Sequence, residues 1–473
     1  MKLYEQYAAE ITALISNGQL RPGERLPSVR EARARRGISA STIFQAYQRL
    51  EREGLIHTRP QSGFYVCAAR SALGDELAVT APRAEANEVE VSELVFEVLR
   101  AARSSGIAPL GSAFPGPDLF PLPQLARAAA TGLRRLAPNS IVENISPGNP
   151  RLRDQIATRY RLDGVRLQTD EIVIGNGALE GLNAALQAVT QPGDTVAIES
   201  PTFYAALQAI ERLKLKALEI RTDAETGIDI QALGEALSRQ RIAACWLMPT
   251  FQNPLGSLMP EARKRELVQL LRQHEVPLIE DDVYAELYFG SQRPRPAKAF
   301  DEAGLVLHCS SFSKCLAPGY RVGWIAAGRY AQRIQRLTLM TTMAASVPAQ
   351  VAVLHYLEEG GYDRHLRRLR AALMARMSAA IQAIESAFPA GTRLSRPRGG
   401  YFVWVALPPG LDAMRLHQAA LQAGIGIAPG HIFSPDHRFA DCIRINCGHP
   451  AADVLPALQQ LGALVHALLR TPA

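Results

Sequence analysis

Two architectures share this chain: a small winged helix-turn-helix at the N-terminus and, behind it, an α/β body on a mostly parallel sheet. Three observations predict them. Residues 1–67 spell three short helices and a hairpin. From about residue 106, short apolar strands alternate with longer amphipathic helices. The charge is also divided: residues 1–70 carry eleven Lys/Arg against six Glu, so five of the seven net positive charges lie there. A basic end on a nearly neutral body points to an anionic partner for that end, most simply nucleic acid. A solvated basic surface is the plainer reading of charge alone.

The elements follow in order. Leu3, Tyr7, Ile11, Leu14 and Ile15 share one face of a helix over residues 2–17, which Gly18 ends; Leu20-Arg21-Pro22-Gly23 is a turn. Ser28 caps a second helix, with Glu31 three residues on completing a capping box, and Gly37 closes it. Ser39 caps a third helix running to Glu53, with Ile43, Ala46, Tyr47 and Leu50 inward, and Gly54 stops it. Strands over 55–59 and 64–67 form a hairpin around Pro60-Gln61-Ser62-Gly63. Residues 68–90 lack strong periodicity and read as a linker. The body, 91–473, opens with a helix over 91–102. Its candidate strands cover 172–175, 196–199, 245–248, 278–281, 306–310, 322–326, 402–405 and 443–446. Near-continuous apolar strands between helices predict a sheet covered on both faces.

At 473 residues the chain has room for two or three domains, and 47% hydrophobic with 21% charged residues is globular composition. No apolar run reaches the length of a membrane span, and the polar start, Met1 to Glu10, is not a secretory signal. Cys67, Cys245, Cys309, Cys315, Cys442 and Cys447 are scattered with no C-x-x-C pair. That argues against a structural zinc site or a disulfide framework and fits a reducing, cytoplasmic setting.

The chemistry of the body centres on Lys314, in Ser310-Ser311-Phe312-Ser313-Lys314, with Arg321 seven positions on. An amine among hydroxyls with an arginine nearby suits a cofactor carrying both an aldehyde and a phosphate. The lysine forms a Schiff base; the hydroxyls and guanidinium hold the phosphate. Pyridoxal phosphate (PLP) has both groups. Gly175-Asn176-Gly177-Ala178 leads from a strand into a helix, where free N–H groups suit a phosphate, although many such turns use glycine. Asp281 ends an apolar strand, where a carboxylate can keep a pyridinium protonated; Asp281 and Asp282 as loop acids or a metal pair is the alternative, and no His/Cys pattern supports a metal. Tyr284 and Asn253, the latter in Asn253-Pro254, a candidate cis bond, could hydrogen-bond a phenolic oxygen. Phe203 follows a strand and could stack on a ring, or simply pack in the core. Arg444 lies inside an apolar strand and needs a partner, either a structural carboxylate or that of a ligand.

In this order the segments from about 106 to 473 resemble the fold-type I PLP-dependent aminotransferases, whose smaller C-terminal α/β subdomain is expected here too. The resemblance implies that Lys314 is the aldimine lysine and Asp281 the pyridine partner. Tyr284 and Asn253 would hold the ring oxygen and Phe203 would stack. Gly177, Ala178, Ser311, Ser313 and Arg321 would bind phosphate, and Arg444 a substrate carboxylate. Glu143 and Asn144 stand roughly where such proteins carry a tyrosine reaching the neighbouring subunit's phosphate.

Residues 1–67 resemble the GntR regulators through Gly23-Glu24-Arg25-Leu26-Pro27-Ser28-Val29-Arg30, Gly37-Ile38-Ser39, Ala46-Tyr47, Gly54-Leu55-Ile56 and Ser62-Gly63. In such a module the third helix enters the major groove while the second helix and the wing touch phosphates. This implies a DNA face of Arg30, Ser39, Ser41, Thr42 and Gln45, with Arg59 and Gly63 at the wing. Ala32-Arg33 replaces the family's usual Leu-Ala, making the second helix more basic.

The fusion resembles the MocR subgroup of GntR regulators. That resemblance implies a head-to-tail homodimer on double-stranded DNA whose body senses an amino compound, or PLP itself, through Lys314. A working aminotransferase with an appended DNA-binding module is the alternative, and a cofactor-free dimer scaffold a third.

Overall fold

The structure, a computed structural model, describes all residues except 1–2, 17–18, 21–23, 53–54, 60–62, 67–76, 78, 83–84, 102–105, 141–144 and 471–473. Gly18, Gly54, the turn residues Pro60 to Ser62, Cys67, Glu143 and Asn144 therefore lie outside the described residues. The chain divides into two compact units, residues 1–73 and 74–473.

In the first unit, α1 (Leu3–Ser16), α2 (Val29–Arg36) and α3 (Ala40–Arg52) precede the antiparallel pair β1 (Ile56–Arg59) and β2 (Gly63–Val66). Tyr7, Ile11, Leu26, Ile43, Tyr47 and Leu50 form its core, closed by Ile56 and Val66 of the hairpin. The predicted capping box has both arms: the Glu31 N–H donates to Ser28 Oγ (3.2 Å), and the Ser28 N–H donates to Glu31 Oε2 (2.8 Å). Gly37 ends α2 in the left-handed region, φ 67°. Ser39 Oγ accepts the Thr42 N–H at 3.2 Å, so it caps α3 as its sequence position predicts.

The second unit holds an eight-stranded sheet in the order β3-β10-β9-β8-β7-β4-β5-β6. Its strands are β3 (Ile172–Gly175), β4 (Thr195–Ser200), β5 (Lys216–Asp223), β6 (Gly227–Ile228), β7 (Ala244–Leu247), β8 (Leu278–Asp281), β9 (Val306–Ser311) and β10 (Gly323–Ala326). The ladder from β5 through β4, β7 and β8 to β9 is parallel; β10 runs antiparallel to both β9 and β3, and β6 antiparallel to β5. A smaller sheet, β11-β12-β14-β13, joins β11 (Arg393–Leu394), β12 (Phe402–Ala406), β13 (Ala428–Pro429) and β14 (Cys442–Asn446) over a core of its own.

Three differences from the sequence reading have physical causes. Strand β5 is absent from the candidate strands because Lys216, Glu219 and Arg221 interrupt its apolar run, yet Glu219 is buried. Part of the stretch read as a linker lies along β5: Asn87 bridges Ala217, and Val89 is buried. The helix Ala451–Arg470 is long and apolar enough to cross a membrane by length and composition, contrary to the sequence reading. Its Val454, Leu458, Leu461 and Val465 are buried in the core of the smaller sheet.

Candidate functional site

The carboxyl ends of the sheet strands bring most of the predicted body residues to one place, as open α/β sheets do. Asp281 ends β8 and Ser311 ends β9, with Ser313 and Lys314 in the turn beyond; Gly177 caps the helix Ala178–Val189 after β3. Asn253 follows β7, and its bond to Pro254 is cis. Phe203 caps the helix Tyr204–Arg212 after β4, half-buried, its ring centroid 4.8 Å from that of Tyr204. Arg444 comes from β14 of the smaller sheet.

Lys314 donates from Nζ to the Ala113 carbonyl at 2.8 Å, and Nζ lies 3.8 Å from the Phe114 ring centroid. Burial of the amine, reinforced by Arg444 and Arg321 and opposed by Asp281, lowers its pKa to about 7. Such a lysine is available as a neutral nucleophile near physiological pH. Asp281 is pushed the other way, to about 7, by burial first and then by Asp282 and Glu280, against the Val283 N–H and Lys314. Its Oδ1 is buried without a hydrogen-bond partner. Asp282 faces elsewhere, with Oδ2 at 3.6 Å from Arg293 and 3.8 Å from His308. Among the described residues no group of three His, Cys, Asp or Glu is arranged to hold a metal.

Asn253 divides its amide. Oδ1 accepts from Arg444 Nη1 at 3.0 Å, while Nδ2 is buried without a partner. Tyr284 is buried, edge-on to Tyr401 and Phe402, and burial raises its pKa. Arg444 is fully buried, its guanidinium over Phe402 (4.1 Å), donating from Nη2 to the Gly111 (2.8 Å) and Ser112 (3.3 Å) carbonyls. Among the described residues it has no carboxylate partner, so the structural-carboxylate alternative is not met. A buried guanidinium with only neutral acceptors retains its charge for an incoming anion.

The candidate phosphate cup is cationic and tight. Arg321, at φ 53°, donates to Ser313 Oγ (3.3 Å) and the Asn176 carbonyl (3.0 Å). Ser311 Oγ accepts the Ser313 N–H at 3.3 Å. Gly177, at φ 90°, lies where a Cβ would overlap the Arg321 guanidinium. Its own N–H is engaged by the Gly175 carbonyl at 2.9 Å, so the free donors start with Ala178 in the first helical turn. Sequence reasoning missed Glu180, which accepts the Asn176 N–H and the Thr342 hydroxyl beside this cup. It also missed the segment 111–114, whose carbonyls gather Arg444, Lys314 and Tyr401; backbone acceptors leave no trace in side-chain patterns.

These residues fit PLP. Two of the buried atoms without a partner, Asn253 Nδ2 and Asp281 Oδ1, would offer a donor to the ring oxygen and an acceptor to the ring nitrogen, and Arg321 with the serines and first-turn N–H groups would offer a grip for the phosphate. In the cofactor-free protein the raised Asp281 binds its proton more tightly folded than unfolded. Its contribution to stability is therefore present below its ordinary pKa of 3.8 and lost as pH rises through about 7. Asp281→Asn should remove that slope, a wild-type-minus-variant difference of up to about 4 kcal/mol in denaturant titrations between acid and neutral pH.

In the N-terminal unit, Arg30, Ser39, Ser41 and Gln45 are exposed and Thr42 is partly so. The Ser39 hydroxyl lies 2.8 Å from those of Ser41 and Thr42, gathering three hydroxyls at the start of α3. Arg59 pairs with Gly63 across the hairpin, and Gly63 has φ 106°.

A mostly parallel sheet with a lysine beyond β9 and an acid at the end of β8 defines an aminotransferase-type body, and residues 116–461 match the family model aminotransferase class I and II. Residues 3–66 match the bacterial regulatory proteins of the gntR family. Over 98% of this chain and 99% of its own length, the HTH-type transcriptional regulator YdcR of Escherichia coli (strain K12), itself uncharacterized, is 48% identical. YjiR of the same organism, described in the same terms, is 36% identical over 98% of this chain and 99% of its own. Among solved structures, LysN of Thermus thermophilus, an alpha-aminoadipate aminotransferase complexed with N-(5'-phosphopyridoxyl)-L-leucine, superposes with a TM-score of 0.71. It is 29% identical and covers 81% of this chain and 100% of its own. The chain belongs to the HTH-type transcriptional regulators that join a GntR domain to an aminotransferase class I and II domain, the MocR arrangement.

Proposed function

We propose that this regulator holds PLP on Lys314 and that an amino compound, or PLP itself, arriving there changes its grip on double-stranded DNA. The observation that carries the reading is Arg444: a buried guanidinium with no carboxylate partner among the described residues, sharing Asn253 with the ligand site. Bound there, PLP supplies an aldehyde that condenses with amines and a pyridinium that withdraws electrons.

The chain's own residues do the rest. Lys314 would hold the cofactor through its aldehyde, the group that also accepts amines. Asp281 holds a proton on the ring nitrogen. Asn253 and Tyr284 orient the ring oxygen, and Phe203 covers a ring face. Arg321, Ser311, Ser313 and the Gly177–Ala178 turn hold the phosphate, and Arg444 grips a carboxylate bidentately. On the DNA side, Gln45 reads a base edge, Ser39, Ser41 and Thr42 contact base or phosphate, and Arg30, Arg59 and the Gly63 turn hold the backbone. A head-to-tail homodimer would present two such modules to two half-sites in the cytoplasm.

The test is the visible absorbance of the full chain titrated with amino acids and amines, followed by DNA binding with whichever compound reacts. A cofactor band that an amine shifts without release of a keto product supports sensing; complete conversion with release of product favours the enzyme. No band after adding PLP would sink both. On the DNA side, Gln45→Ala should weaken binding to the specific site about tenfold or more, as loss of a base contact does. Non-specific binding, and its fall with salt, should stay unchanged in mobility-shift assays.

A further inference from the structure

The segment before α4 (Ser92–Ala101) is tied to the body at several points. Thr80 exchanges backbone and side-chain hydrogen bonds with Thr222 of β5 (Thr80 N–H to Thr222 O, 3.3 Å; Thr222 N–H to Thr80 Oγ1, 2.9 Å). Asn87 exchanges two backbone bonds with Ala217 (2.9 and 2.8 Å), and the Val91 and Ser92 N–H groups both donate to Glu211 Oε2 (2.9 and 3.0 Å). One further tie comes from far along the chain: Arg438 Nη1 donates to the Ala81 carbonyl at 3.2 Å.

Arg438 has a second allegiance. Its Nη2 lies 3.5 Å from the buried Glu219 Oε2 of β5, and Glu219 Oε1 accepts from Ser200 Oγ at 2.9 Å. Ser200 ends β4, immediately before Pro201, Thr202 and Phe203. Arg438 also follows the turn Gly430–Phe433. There the Phe433 carbonyl accepts the Thr202 N–H at 2.9 Å, and the Phe433 ring lies 5.3 Å from the Arg444 guanidinium. Arg438 therefore touches the segment leading from the DNA-binding unit and stands five residues after Phe433, in the turn that borders the buried arginine of the ligand site.

We propose that residues 79–82 and 85–91 form a regulatory strap and that Arg438 is its clamp, released when a ligand carboxylate takes Arg444. This rests on the reading of Lys314 and Arg444 as a ligand site. A carboxylate on Arg444 competes with the Gly111 and Ser112 carbonyls and with Asn253, so the guanidinium shifts and Phe433 beside it follows. Arg438, five residues on, keeps Asp436 as a partner in either position (Nε to Oδ1, 3.0 Å), so it leaves Ala81 without losing all its bonds. The strap then keeps its ties at Thr80, Asn87 and Val91 but loses the one at Ala81 between them. The state of the ligand site thereby becomes a change in the order of the segment that follows the DNA-binding module, a device that requires no rearrangement of the sheet.

The experiment is hydrogen–deuterium exchange on the full-length, cofactor-free protein, with and without N-(5'-phosphopyridoxyl)-L-leucine as the probe. Retention of the probe is measured separately by its absorbance after gel filtration. In the wild type, bound probe should speed exchange of the Thr80 and Asn87 amides about fivefold, the effect of losing one hydrogen bond. In Arg438→Gln those amides should exchange fast with or without the probe, while the probe is retained equally and the central amides of β4 and β7 stay protected. Unchanged exchange in wild-type protein that demonstrably holds the probe overturns the proposal, as does a strap in Arg438→Gln that still responds. The wild-type comparison needs no variant, so it decides the matter even if Arg438→Gln folds poorly. A probe that is not retained overturns the ligand-site reading, and this proposal with it, and is told apart by the absorbance alone.

Discussion

Lys314→Ala will abolish covalent attachment of PLP while leaving the protein folded. The visible band of the purified wild type will be absent from the variant after gel filtration, because the other buried lysines among the described residues are engaged elsewhere, Lys264 with Thr250 and Lys298 with Asp301. The reason to expect intact folding lies in what the lysine touches. Among the described residues its amine donates to the Ala113 carbonyl alone, and that carbonyl also accepts from the Tyr401 hydroxyl at 3.0 Å, so the truncation orphans no acceptor. It also removes an enclosed amine whose charge is disfavoured by burial and by Arg444 and Arg321. The stability cost should therefore stay within about 1–2 kcal/mol, far below that of a large cavity. The anion cup of Arg321, Ser311 and Ser313 is untouched, so PLP should still bind the variant reversibly, as a band with the character of the free aldehyde. A wild-type band in Lys314→Ala would mean that another lysine carries the cofactor and would remove the basis of the functional reading. The same variant separates regulator from enzyme: turnover would vanish with it, whereas DNA binding of the cofactor-free form would persist without response to amines.

What the sequence disclosed and what it hid follow a physical line. Local interactions were legible. Ser28 with Glu31, Gly37 and Ser39 announce their helix ends because a cap is a contact between residues three or four apart. The strands carrying Asp281 and Ser311 were legible because both faces are covered and the runs are apolar throughout. Strand β5 was not, because Glu219 looks like an exposed charge until Ser200 and Arg438, far apart in sequence, are seen to meet it. The carbonyls of residues 111–114 were invisible for a different reason: any residue type supplies one. Arg444 stood between. Its burial was readable from the apolar strand around it, and its lack of a carboxylate partner was not.

That missing partner makes Arg444→Lys the sharper test of ligand class. The guanidinium has donors in a fixed planar fork and its carbon lies 4.1 Å from the Phe402 ring centroid; an ammonium offers one compact charge without that fork. In the free protein the shorter lysine would also have to meet, with one nitrogen, Asn253 Oδ1 and the Gly111 carbonyl, which two separate guanidinium nitrogens reach in the wild type, leaving one of them unmet. The expected result is a cofactor band like that of the wild type, because the residues Arg444 touches include neither Lys314 nor Arg321, Ser311 or Ser313, with amino acids binding about 10–100-fold more weakly. Stability should fall by about 1–3 kcal/mol for the unsatisfied acceptor. Weakening alone would not identify the carboxylate as the group recognised, since a displaced Asn253 could disturb the ring. The pair L-phenylalanine and phenethylamine, which differ only by that carboxylate, closes the cycle. If Arg444 grips the carboxylate, the variant should weaken the amino acid and leave the amine nearly unchanged, and the advantage of the first over the second should collapse. Equal loss for both ligands would assign Arg444 to orienting Asn253 and the cofactor, and the effector would then be an amine whose acid group, if present, is read elsewhere.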